Sequence, residues 1–578
     1  MNNNEIASIL EEMGTLLELR GENPFKCRAY HNAARTVESL TEDLNTVLQE
    51  NRLESIPGVG KGLAKEISDL LTKGKSSAHQ ELKRSLPSGL LGMLRIEGLG
   101  PKRIKLLHEK LNISTIAGLR KAAEQHKLSA VEGFGKKTEE SILRGIEALS
   151  KRSDKYLIST AREAAERILE RLKSADGVIE CSIAGSLRRK KEIIGDIDIL
   201  ISAKPKAIPI IMKLFTSHSD VERITGQGET KSSVILQSGI HCDLRVVKER
   251  EFPFALAYFT GSKDHNVAMR SRAKTFGWSL NEYEFSVLPE TRSKKAPPVC
   301  KTESDIYSAL RLTYIPPELR ENMGELEASE KNTLPKLLEE SEIRGTFHCH
   351  TTYSDGTNSL EQMAEAAQTL GWEYLGIADH SKIAAYAGGL SAEKVKQQER
   401  EIDILNKRFK GFRLFKGTEV DILPDGSLDW NDSVLKTFDY VVASIHSAFK
   451  MSETAATKRI IKALKNKYVT MLGHPTGRLL LQRDGYPVNM VQVINAASDY
   501  GKIIEINSHP MRLDIDWRFC KYAKEKGVKI SINPDAHNVH GLRDVGYGVG
   551  TARKGWLEKS DIVNTRSLRD VVQFMNRT

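Results

Sequence analysis

With 578 residues and a formal net charge of +10, the chain can hold several domains and favours a polyanionic partner such as nucleic acid. No apolar run approaches the ~20 residues of a membrane span, the first residues lack the features of a secretory signal, and the six cysteines form no CxxC pair. We therefore expect a soluble cytoplasmic protein with free thiols and no membrane partner.

Residues 1–150 predict helices, because Leu, Ala, Glu and Lys recur there at helical spacing between glycine-rich breaks. Three segments share the pattern apolar-x-Gly-x-Gly-x-x before a helix: SIPGVGKGLAKEI, RIEGLGPKRIKLL and AVEGFGKKTEESI. Such glycines permit tight turns and expose backbone N–H groups at a helix N-terminus, where a phosphate can bind.

Three copies followed by basic residues favour sequence-independent binding of the DNA backbone over ordinary helical corners. The segments resemble the helix-hairpin-helix motif. The predicted DNA contacts are Gly58, Gly60, Lys61, Gly98, Gly100, Lys102, Gly133, Gly135 and Lys136.

The segment IAGSLRRKKEIIGDIDIL predicts a strand that ends in a turn at Gly185 and Ser186, then a helix, then a strand that carries Asp196 and Asp198 on one face. Neighbouring carboxylates repel each other, and their apolar flanks argue against a solvent-facing edge strand. Divalent metal ions can neutralise the pair, with Asp243 of GIHCDLRVV as a third ligand. The turn can hold a triphosphate through backbone N–H groups and a hydroxyl, with Arg189 adding charge.

This spacing resembles the nucleotidyltransferase superfamily, in which one metal activates a 3′-hydroxyl and a second stabilises the leaving pyrophosphate. GETKSSVIL, AYFTGSKDHNVAMRSRAKTFGWSLNEY and TYIPPELRE narrow the resemblance to the X family of DNA polymerases, the group of DNA polymerase β. It covers about residues 1–320. The resemblance implies a Mg²⁺-dependent site with catalytic Asp196, Asp198 and Asp243.

The same resemblance implies a nucleotide pocket after Asp243. Tyr258, Phe259 and Gly261 would contact the sugar and help to exclude ribonucleotides. Asn266 would lie near the incoming base, and Arg270 near the templating pair. Alone, adjacent aromatic residues more often pack in a core, so this assignment depends on the family pattern.

From Ile343 onward, a regular alternation of strands and helices predicts βα units around a parallel sheet or barrel. We count seven strands, and six histidines and three carboxylates lie at or just after their carboxyl ends, where barrels build their sites. These candidate metal ligands are His348, His350, Asp355, His380, Glu419, His446, His474, Asp535 and His537.

Nine ligands exceed the four to six of a single metal ion, so we expect two or three ions. The imidazoles favour Mn²⁺ or Zn²⁺ over Mg²⁺. Residues 343–578 resemble the polymerase and histidinol phosphatase (PHP) domain, with all nine ligand positions present. Arg512 is a candidate phosphate contact or an ordinary surface arginine.

The predicted fold class is multidomain: an all-α helix-hairpin-helix N-terminal region, an α/β nucleotidyltransferase palm with a thumb-like subdomain, and a C-terminal (β/α)7 PHP barrel. We place an 8-kDa-like helical DNA-binding domain at 1–85 and a helix-hairpin-helix fingers-like subdomain at 86–150. The palm is placed at 151–250, the thumb-like subdomain at 251–320, the linker at 321–342 and the PHP domain at 343–578.

The arrangement resembles the bacterial and archaeal polymerases of the X family. It implies a template-directed, gap-filling repair polymerase with a metal-dependent 3′–5′ exonuclease, extended to 3′-end cleaning and cleavage at abasic sites. The partners would be gapped or primer–template DNA and deoxynucleoside triphosphates, and we expect a nucleoid-associated monomer. The alternatives are a DNA-binding PHP phosphoesterase with a non-functional polymerase half and a non-catalytic DNA-binding scaffold.

One family activity is not expected. The animal relative removes a 5′ deoxyribose phosphate through a lysine in the helix after the first hairpin. Counting from PGVG, Glu66 occupies that position, and a carboxylate cannot form the imine. Lys65 is adjacent, but one residue is about a 100° turn on a helix. We expect gap binding strengthened by a 5′-phosphate, with little or no lyase activity.

Overall fold

The structure is a computed structural model that describes residues 3–38, 40, 44–87, 89–94, 96, 99–131, 133–152, 155–289, 296–384 and 387–575. The chain divides into two compact units, Met1–Ser153 and Asp154–Thr578. Within the described ranges, no helix is both long enough and apolar enough to cross a bilayer.

The first unit is helical, as the sequence predicts. Hydroxyls of Ser76 and Thr115 cap two of its helices by accepting backbone N–H groups of His79 and Gly118. Its apolar side chains form two main cores, one around Ile67 and one around Leu107. The helices are α1 (Asn3–Arg20), α2 (Pro24–Glu38), α3 (Leu44–Gln49), α4 (Lys61–Lys73), α5 (Ser77–Ser85), α6 (Gly89–Met93), α7 (Pro101–Leu111), α8 (Ile116–Glu124) and α9 (Lys136–Arg152).

The second unit begins with a five-stranded sheet in the order β2-β4-β7-β6-β5, in which only β4 and β7 run parallel. Helices α10 and α12 pack on it over a core that includes Ile168, Phe215 and Leu244. The elements are β1 (Tyr156–Leu157), α10 (Ile158–Lys173), β2 (Val178–Ile183), α11 (Gly185–Arg188), β3 (Ile193–Ile194), β4 (Asp196–Ala203), α12 (Ile208–Thr216), β5 (Val221–Gln227), β6 (Lys231–Leu236) and β7 (His241–Val247).

A mainly helical subdomain follows around Trp278, Phe285 and Tyr307. Arg320 is fully buried within it and donates to Glu303 Oε1 at 2.7 Å, and the buried His265 Nδ1 lies 2.7 Å from Glu325 Oε1, so polar pairs lie among the apolar side chains of this core. The elements are α13 (Phe252–Thr260), α14 (Lys263–Thr275), β8 (Trp278–Leu280), β9 (Phe285–Val287), α15 (Glu303–Ala309) and α16 (Glu325–Glu330).

The last part is a nearly closed barrel of seven parallel strands, which confirms the predicted strand number. Its strands follow chain order from β10 to β16, and the backbone N–H of His350 donates to the carbonyl of Ala536 at 2.8 Å across the closing edge. Aromatic rings fill one end of the interior, where the Tyr440 hydroxyl donates to carbonyls of Phe347 and Ile377.

Helices α17 to α23 cover the barrel, and α24 packs against the aromatic core. The elements are β10 (Gly345–Thr346), α17 (Leu360–Thr369), β11 (Tyr374–Ile377), α18 (Ala392–Arg408), β12 (Arg413–Asp421), α19 (Asp432–Leu435), β13 (Tyr440–Ser444), α20 (Glu453–Leu464), β14 (Met471–Leu472), α21 (Met490–Asp499), β15 (Ile503–Asn507), α22 (Trp517–Glu525), β16 (Ile530–Asn533), α23 (Val545–Lys554) and α24 (Leu568–Met575).

Barrel and five-stranded sheet are packed together within the second unit. Leu480 and Leu513, both from barrel loops, join the core under the sheet. Lys554 at the end of α23 is buried and lies 2.5 Å from Glu321 Oε1. The barrel therefore contributes directly to the environment of the sheet.

Candidate active sites

The three glycine-rich turns each lead into a helix, namely α4, α7 and α9. In each turn the apolar residue between the two glycine positions is buried, whereas the described glycines are exposed. Those apolar residues are Val59, Leu99 and Phe134. The turns are thus anchored to the core by one side chain and present their backbone to solvent.

The N-termini of α4 and α7 have no side-chain cap, which leaves backbone N–H groups free to meet a phosphate. Lys61 and Lys102 are exposed beside them. Gly98 lies outside the described residues, as does the side chain of Lys136. The predicted role of these turns in DNA binding stays a prediction.

The three predicted catalytic aspartates meet on adjacent parallel strands of the sheet. Asp198 on β4 is in register with Asp243 on β7, and Asp196 lies two residues earlier on the same face of β4. Asp196 is exposed, and the other two are half-buried. The structure therefore gathers three carboxylates around one open surface, a donor set suited to hard divalent cations.

Electrostatics at this surface favour a bound cation. Burial, then the charges of Asp196 and Asp243, raise the pKa of Asp198 to about 6. Lys231 Nζ lies 2.8 Å from Asp243 Oδ2, so a lysine partly neutralises the third carboxylate. A divalent cation bound here would relieve the repulsion that raises the pKa of Asp198.

The Gly185–Ser186 turn lies next to the Asp198 carboxylate. Gly185 has φ of +63°, which favours glycine, and a Cβ at this position would collide with the Asp198 carboxylate. Both the backbone conformation and the close contact therefore require glycine. Ser186 is half-exposed beside it in α11. The turn thus brings backbone close to the expected metal site.

The two arginines after the turn are engaged elsewhere. Arg189 Nη1 donates to the carbonyl of Thr260 at 2.7 Å, and its Nε lies 3.0 Å from Glu321 Oε1. Arg188 forms a bidentate ion pair with Glu303, in which Nη1 donates to Oε1 at 3.0 Å and Nη2 donates to Oε2 at 2.6 Å. These contacts join the sheet to the following subdomain, and the predicted contact of Arg189 with a triphosphate stays a prediction.

Three of the five remaining predicted nucleotide contacts line a cavity next to α13. Tyr258, Asn266 and Arg270 all line it, and Asn266 Nδ2 donates to the carbonyl of Tyr258 at 2.7 Å. The rings of Tyr258 and Phe259 stand edge to face. Gly261 follows as the C-terminal cap of α13. The predicted nucleotide pocket, and the role of each of these residues in it, stays a prediction.

The nine predicted ligands of the barrel converge at the carboxyl ends of the strands. Three overlapping groups have potential ligand atoms within 4.8 Å of one another. They are His350, Asp355, His380 and His537; His348, His350 and Asp535; and His380, Glu419 and His446. His474, the ninth residue, has its Nε2 2.9 Å from Glu419 Oε1.

Glu419 lies at the centre of this cluster. Its Oε1 is 3.2 Å from His446 Nε2 and 3.4 Å from His348 Nε2, and its Oε2 is 3.0 Å from His380 Nδ1. Burial would raise the pKa of Glu419, but the facing imidazoles outweigh it and hold that pKa well below its usual range. One carboxylate is thus shared by ligands of more than one group.

The donors are arranged for cations. His348 Nε2 and His350 Nδ1 are buried and have no hydrogen-bond partner among the described residues, a costly state unless a metal ion takes their lone pairs. Burial, then the neighbouring His537 and His380, lower the pKa of His350 to about 3, which keeps it a neutral ligand. The residues present therefore fit a multinuclear metal centre rich in imidazole.

Carboxylates behind the ligands complete the site, and they are not among the residues predicted from the sequence. Asp421 accepts from His446 Nδ1, and Asp379 accepts from the backbone and hydroxyl of Thr351. Glu505 accepts from His348 Nδ1 at 2.7 Å. Each is an acidic residue in or beside an apolar strand, the same signal that identified Asp196.

Arg512 lies at the edge of the cluster. Its Nε is 3.4 Å from Asp535 Oδ2, and a fifth of its side chain is exposed. The guanidinium is therefore beside the ligands and reachable from solvent, as a contact to a substrate phosphate requires.

Family comparisons divide the chain in the same order as the structure. Residues 1–76 match a Helix-hairpin-helix domain and residues 90–148 a SAM-like Helix-hairpin-helix tandem. Residues 159–228 match the DNA polymerase beta palm and 255–321 the DNA polymerase beta thumb. Residues 346–509 match the PHP domain.

Curated relatives cover either the whole chain or the barrel. The DNA polymerase/3′-5′ exonuclease PolX of Bacillus subtilis (strain 168) is 39% identical over 579 aligned positions, spanning 100% of both chains. A probable phosphatase of Thermoanaerobacter sp. (strain X514) is 33% identical over 33% of this chain and 77% of its own. A probable phosphatase of Acetivibrio thermocellus is 29% identical over 33% of this chain and 78% of its own.

Proposed function

The chain belongs to the X family of DNA polymerases, in the group that carries a C-terminal PHP domain, and we propose from that membership that it both extends and trims DNA 3′ ends. It is a template-directed polymerase that fills gaps and a metal-dependent 3′–5′ exonuclease. The observation that carries the proposal is that one chain holds a three-carboxylate set and a nine-ligand cluster, each brought together in space.

The palm residues bind and orient the reactants of synthesis. Asp196, Asp198 and Asp243 would hold divalent metals, and the backbone of Gly185 and Ser186 would hold the triphosphate. Tyr258 and its neighbours along α13 would receive the sugar and base. The register of β4 and β7 fixes the carboxylates relative to one another, and Gly185 lies close to Asp198, so the primer terminus and the nucleotide would be oriented at one place.

The barrel residues bind and orient a 3′ terminus for hydrolysis. Its nine ligands would hold two or three metal ions, and Arg512 would contact a phosphate at the rim. Burial of His348, His350 and Glu419 keeps bulk water away from the inner ligands. When bound, divalent metal ions supply charge neutralisation at phosphate oxygens and activation of an oxygen nucleophile in both sites.

Ligand chemistry separates the metals that the two sites prefer. Oxygen donors in the palm suit Mg²⁺, whereas imidazoles in the barrel suit Mn²⁺ or Zn²⁺. The hairpin turns would grip the DNA backbone without reading its sequence. We further propose a monomer that acts on gapped or primer–template DNA with deoxynucleoside triphosphates in the cytoplasm, associated with the nucleoid. Cleaning of blocked 3′ ends and cleavage at abasic sites extend the barrel's reaction.

A single substrate tests the proposal. Chelator-treated full-length protein is given a duplex with a one-nucleotide gap, first with Mg²⁺ and deoxynucleotides, then with Mn²⁺ alone. We expect filling of the gap in the first reaction and loss of nucleotides from the primer 3′ end in the second. Absence of filling would favour a DNA-binding phosphoesterase with a non-functional palm. Degradation at full rate with Mg²⁺ alone would contradict the metal assignment.

A further inference from the structure

Strand β15 is the one barrel strand to which no metal ligand is assigned. It nevertheless carries a carboxylate, Glu505, which is fully buried. An ionised carboxylate inside a core is costly unless several donors satisfy it. Such a residue on an apolar strand therefore has partners that compensate for its burial.

Three donors surround Glu505. His348 Nδ1 lies 2.7 Å from Oε2, and Asn533 Nδ2 donates to the same oxygen at 3.0 Å. The backbone N–H of His474 donates to Oε1 at 3.2 Å. One carboxylate thus contacts the side chain of one predicted metal ligand and the backbone of another.

The network fixes which nitrogen of His348 carries the proton. Asn533 Oδ1 accepts from the backbone N–H of Phe347 at 3.1 Å, so its amide nitrogen must face Glu505. Both carboxylate oxygens therefore accept, and His348 Nδ1 must donate. In neutral His348 the lone pair is then on Nε2, a buried atom that has no hydrogen-bond partner among the described residues and lies 3.4 Å from Glu419 Oε1.

The contact with His474 has a second consequence. His474 has φ of +21°, a conformation that residues other than glycine rarely adopt. A buried acceptor on its N–H holds the backbone in this conformation, and its Nε2 then reaches Glu419. Glu505 acts on two ligands that approach the same central carboxylate.

We infer that Glu505 is the positioning residue of the barrel's metal centre: it sets the proton arrangement of His348 and fixes the backbone of His474. Partners behind a metal-bound histidine orient its ring and raise its basicity, and their loss typically costs about 10–100-fold in metal affinity. This inference rests on the proposed metal-dependent function of the barrel.

Glu505→Gln is the direct test, because glutamine keeps the shape but turns an N–H₂ group toward one of three donors. The variants are made in the full chain with Asp243→Ala, so that metal uptake reports the barrel. Mn²⁺ affinity is measured by equilibrium dialysis, and Co²⁺ loading by its visible spectrum. We expect Mn²⁺ binding weakened about 10–100-fold and an altered Co²⁺ spectrum.

Lys502→Met is the matched control. Lys502 is also buried, directly before the first residue of the same strand, where its Nζ donates to the carbonyl of Val469 at 2.7 Å. Its removal also takes a charge from the barrel, and it should leave metal affinity and the Co²⁺ spectrum unchanged.

Mn²⁺ affinity of Glu505→Gln within about threefold of its parent would overturn the inference. If that variant does not melt cooperatively, Glu505→Asp is measured against the same limits, because its shorter carboxylate cannot reach all three donors. Metal binding is measured without turnover. A parent chain that binds Mn²⁺ but degrades no DNA would therefore contradict only the proposed function. The effect of Glu505→Gln on Mn²⁺ affinity could still be interpreted.

Discussion

Asp198 shows how a predicted catalytic residue can work against the fold that carries it. Its half-buried carboxylate shares one sheet surface with Asp196 and Asp243, and burial together with their charges raises its pKa to about 6. The ionised form of the Asp198 carboxylate is thus unfavourable until a cation binds. Such a site lowers the stability of the metal-free protein and favours metal binding.

Asp198→Asn should stabilise the metal-free protein. The folded-state pKa of about 6 exceeds the usual 3.8, so the folded chain binds more protons between these values and wild-type stability falls as the pH rises through them. A difference of about two pKa units corresponds to about 2–3 kcal/mol. We expect the variant to melt higher than wild type at pH 7.5 with chelator, and to lose synthesis.

The advantage of Asp198→Asn should shrink as the pH falls below about 6 and disappear only below 3.8, where the wild-type carboxyl is protonated in both the folded and the unfolded state. Thermal melts at pH 7.5 and pH 4.5 measure this. A variant that melts lower than wild type at pH 7.5 would show that the carboxylate has stabilising partners that outweigh the repulsion.

Single residues could be predicted from the sequence where chemistry is concentrated in a short segment. The alternation of Asp196 and Asp198, and the histidines after strands, required only local spacing. Glu505 could not be placed in the same way, because its role depends on His348 and His474, which are distant in the sequence. The part-buried ion pair of Arg189 with Glu321 could not be predicted either, because the two residues are far apart in the sequence.

At the scale of elements, helix α4 after the first glycine-rich turn gives the clearest case. Glu66 on this helix is half-buried and accepts a hydrogen bond from the Ser76 hydroxyl. Lys65 is exposed on a different side of the same helix. The position predicted for an imine-forming lysine is therefore held by a carboxylate with a structural partner.

We expect little or no removal of a 5′ deoxyribose phosphate by this helix, and tighter binding of a gap that carries a 5′-phosphate. Borohydride trapping on an incised abasic duplex measures the covalent adduct, and fluorescence anisotropy compares the two gaps. The physical reason is that a carboxylate forms no imine, whereas the backbone N–H groups at the start of α4, which have no side-chain cap among the described residues, can still donate hydrogen bonds to a phosphate.

Lys73→Ala is the matched control for Lys65→Ala, since Lys73 is an exposed lysine of the same helix. A strong adduct that Lys65→Ala removes and Lys73→Ala retains would contradict the prediction. It would mean that Lys65 reaches the sugar despite its direction on the helix.

Elements differed in how well the sequence revealed them. Long amphipathic helices and strand β12 follow from period and length. Strands β10 and β14 have only two residues each, and they were predictable because a histidine and a glycine-bounded apolar run marked them. A helix was also predicted after the Gly-Ser turn, and α11 is present there, but the approach of Gly185 to Asp198 could not be predicted because it joins separate segments.

At the scale of the whole molecule, the sequence predicted a chain of modules, and its domain boundaries stay predictions. The structure adds that barrel and palm share a core through Leu480 and Leu513, and that Lys554 reaches Glu321. No local sequence pattern indicates such packing, because the sequence around an apolar loop residue is the same whether that residue faces solvent or another domain. The two sites are nonetheless built from different residues.

The central claim is that synthesis and degradation belong to separate sites in one chain. One measurement tests it: both activities of two double variants on the same gapped primer–template. Asp196→Ala with Asp198→Ala should abolish incorporation and spare 3′–5′ degradation, because the carboxylates hold metals only in the palm. His348→Ala with His350→Ala should abolish degradation and spare incorporation. Loss of both activities in either folded double variant would contradict the claim and indicate a shared site.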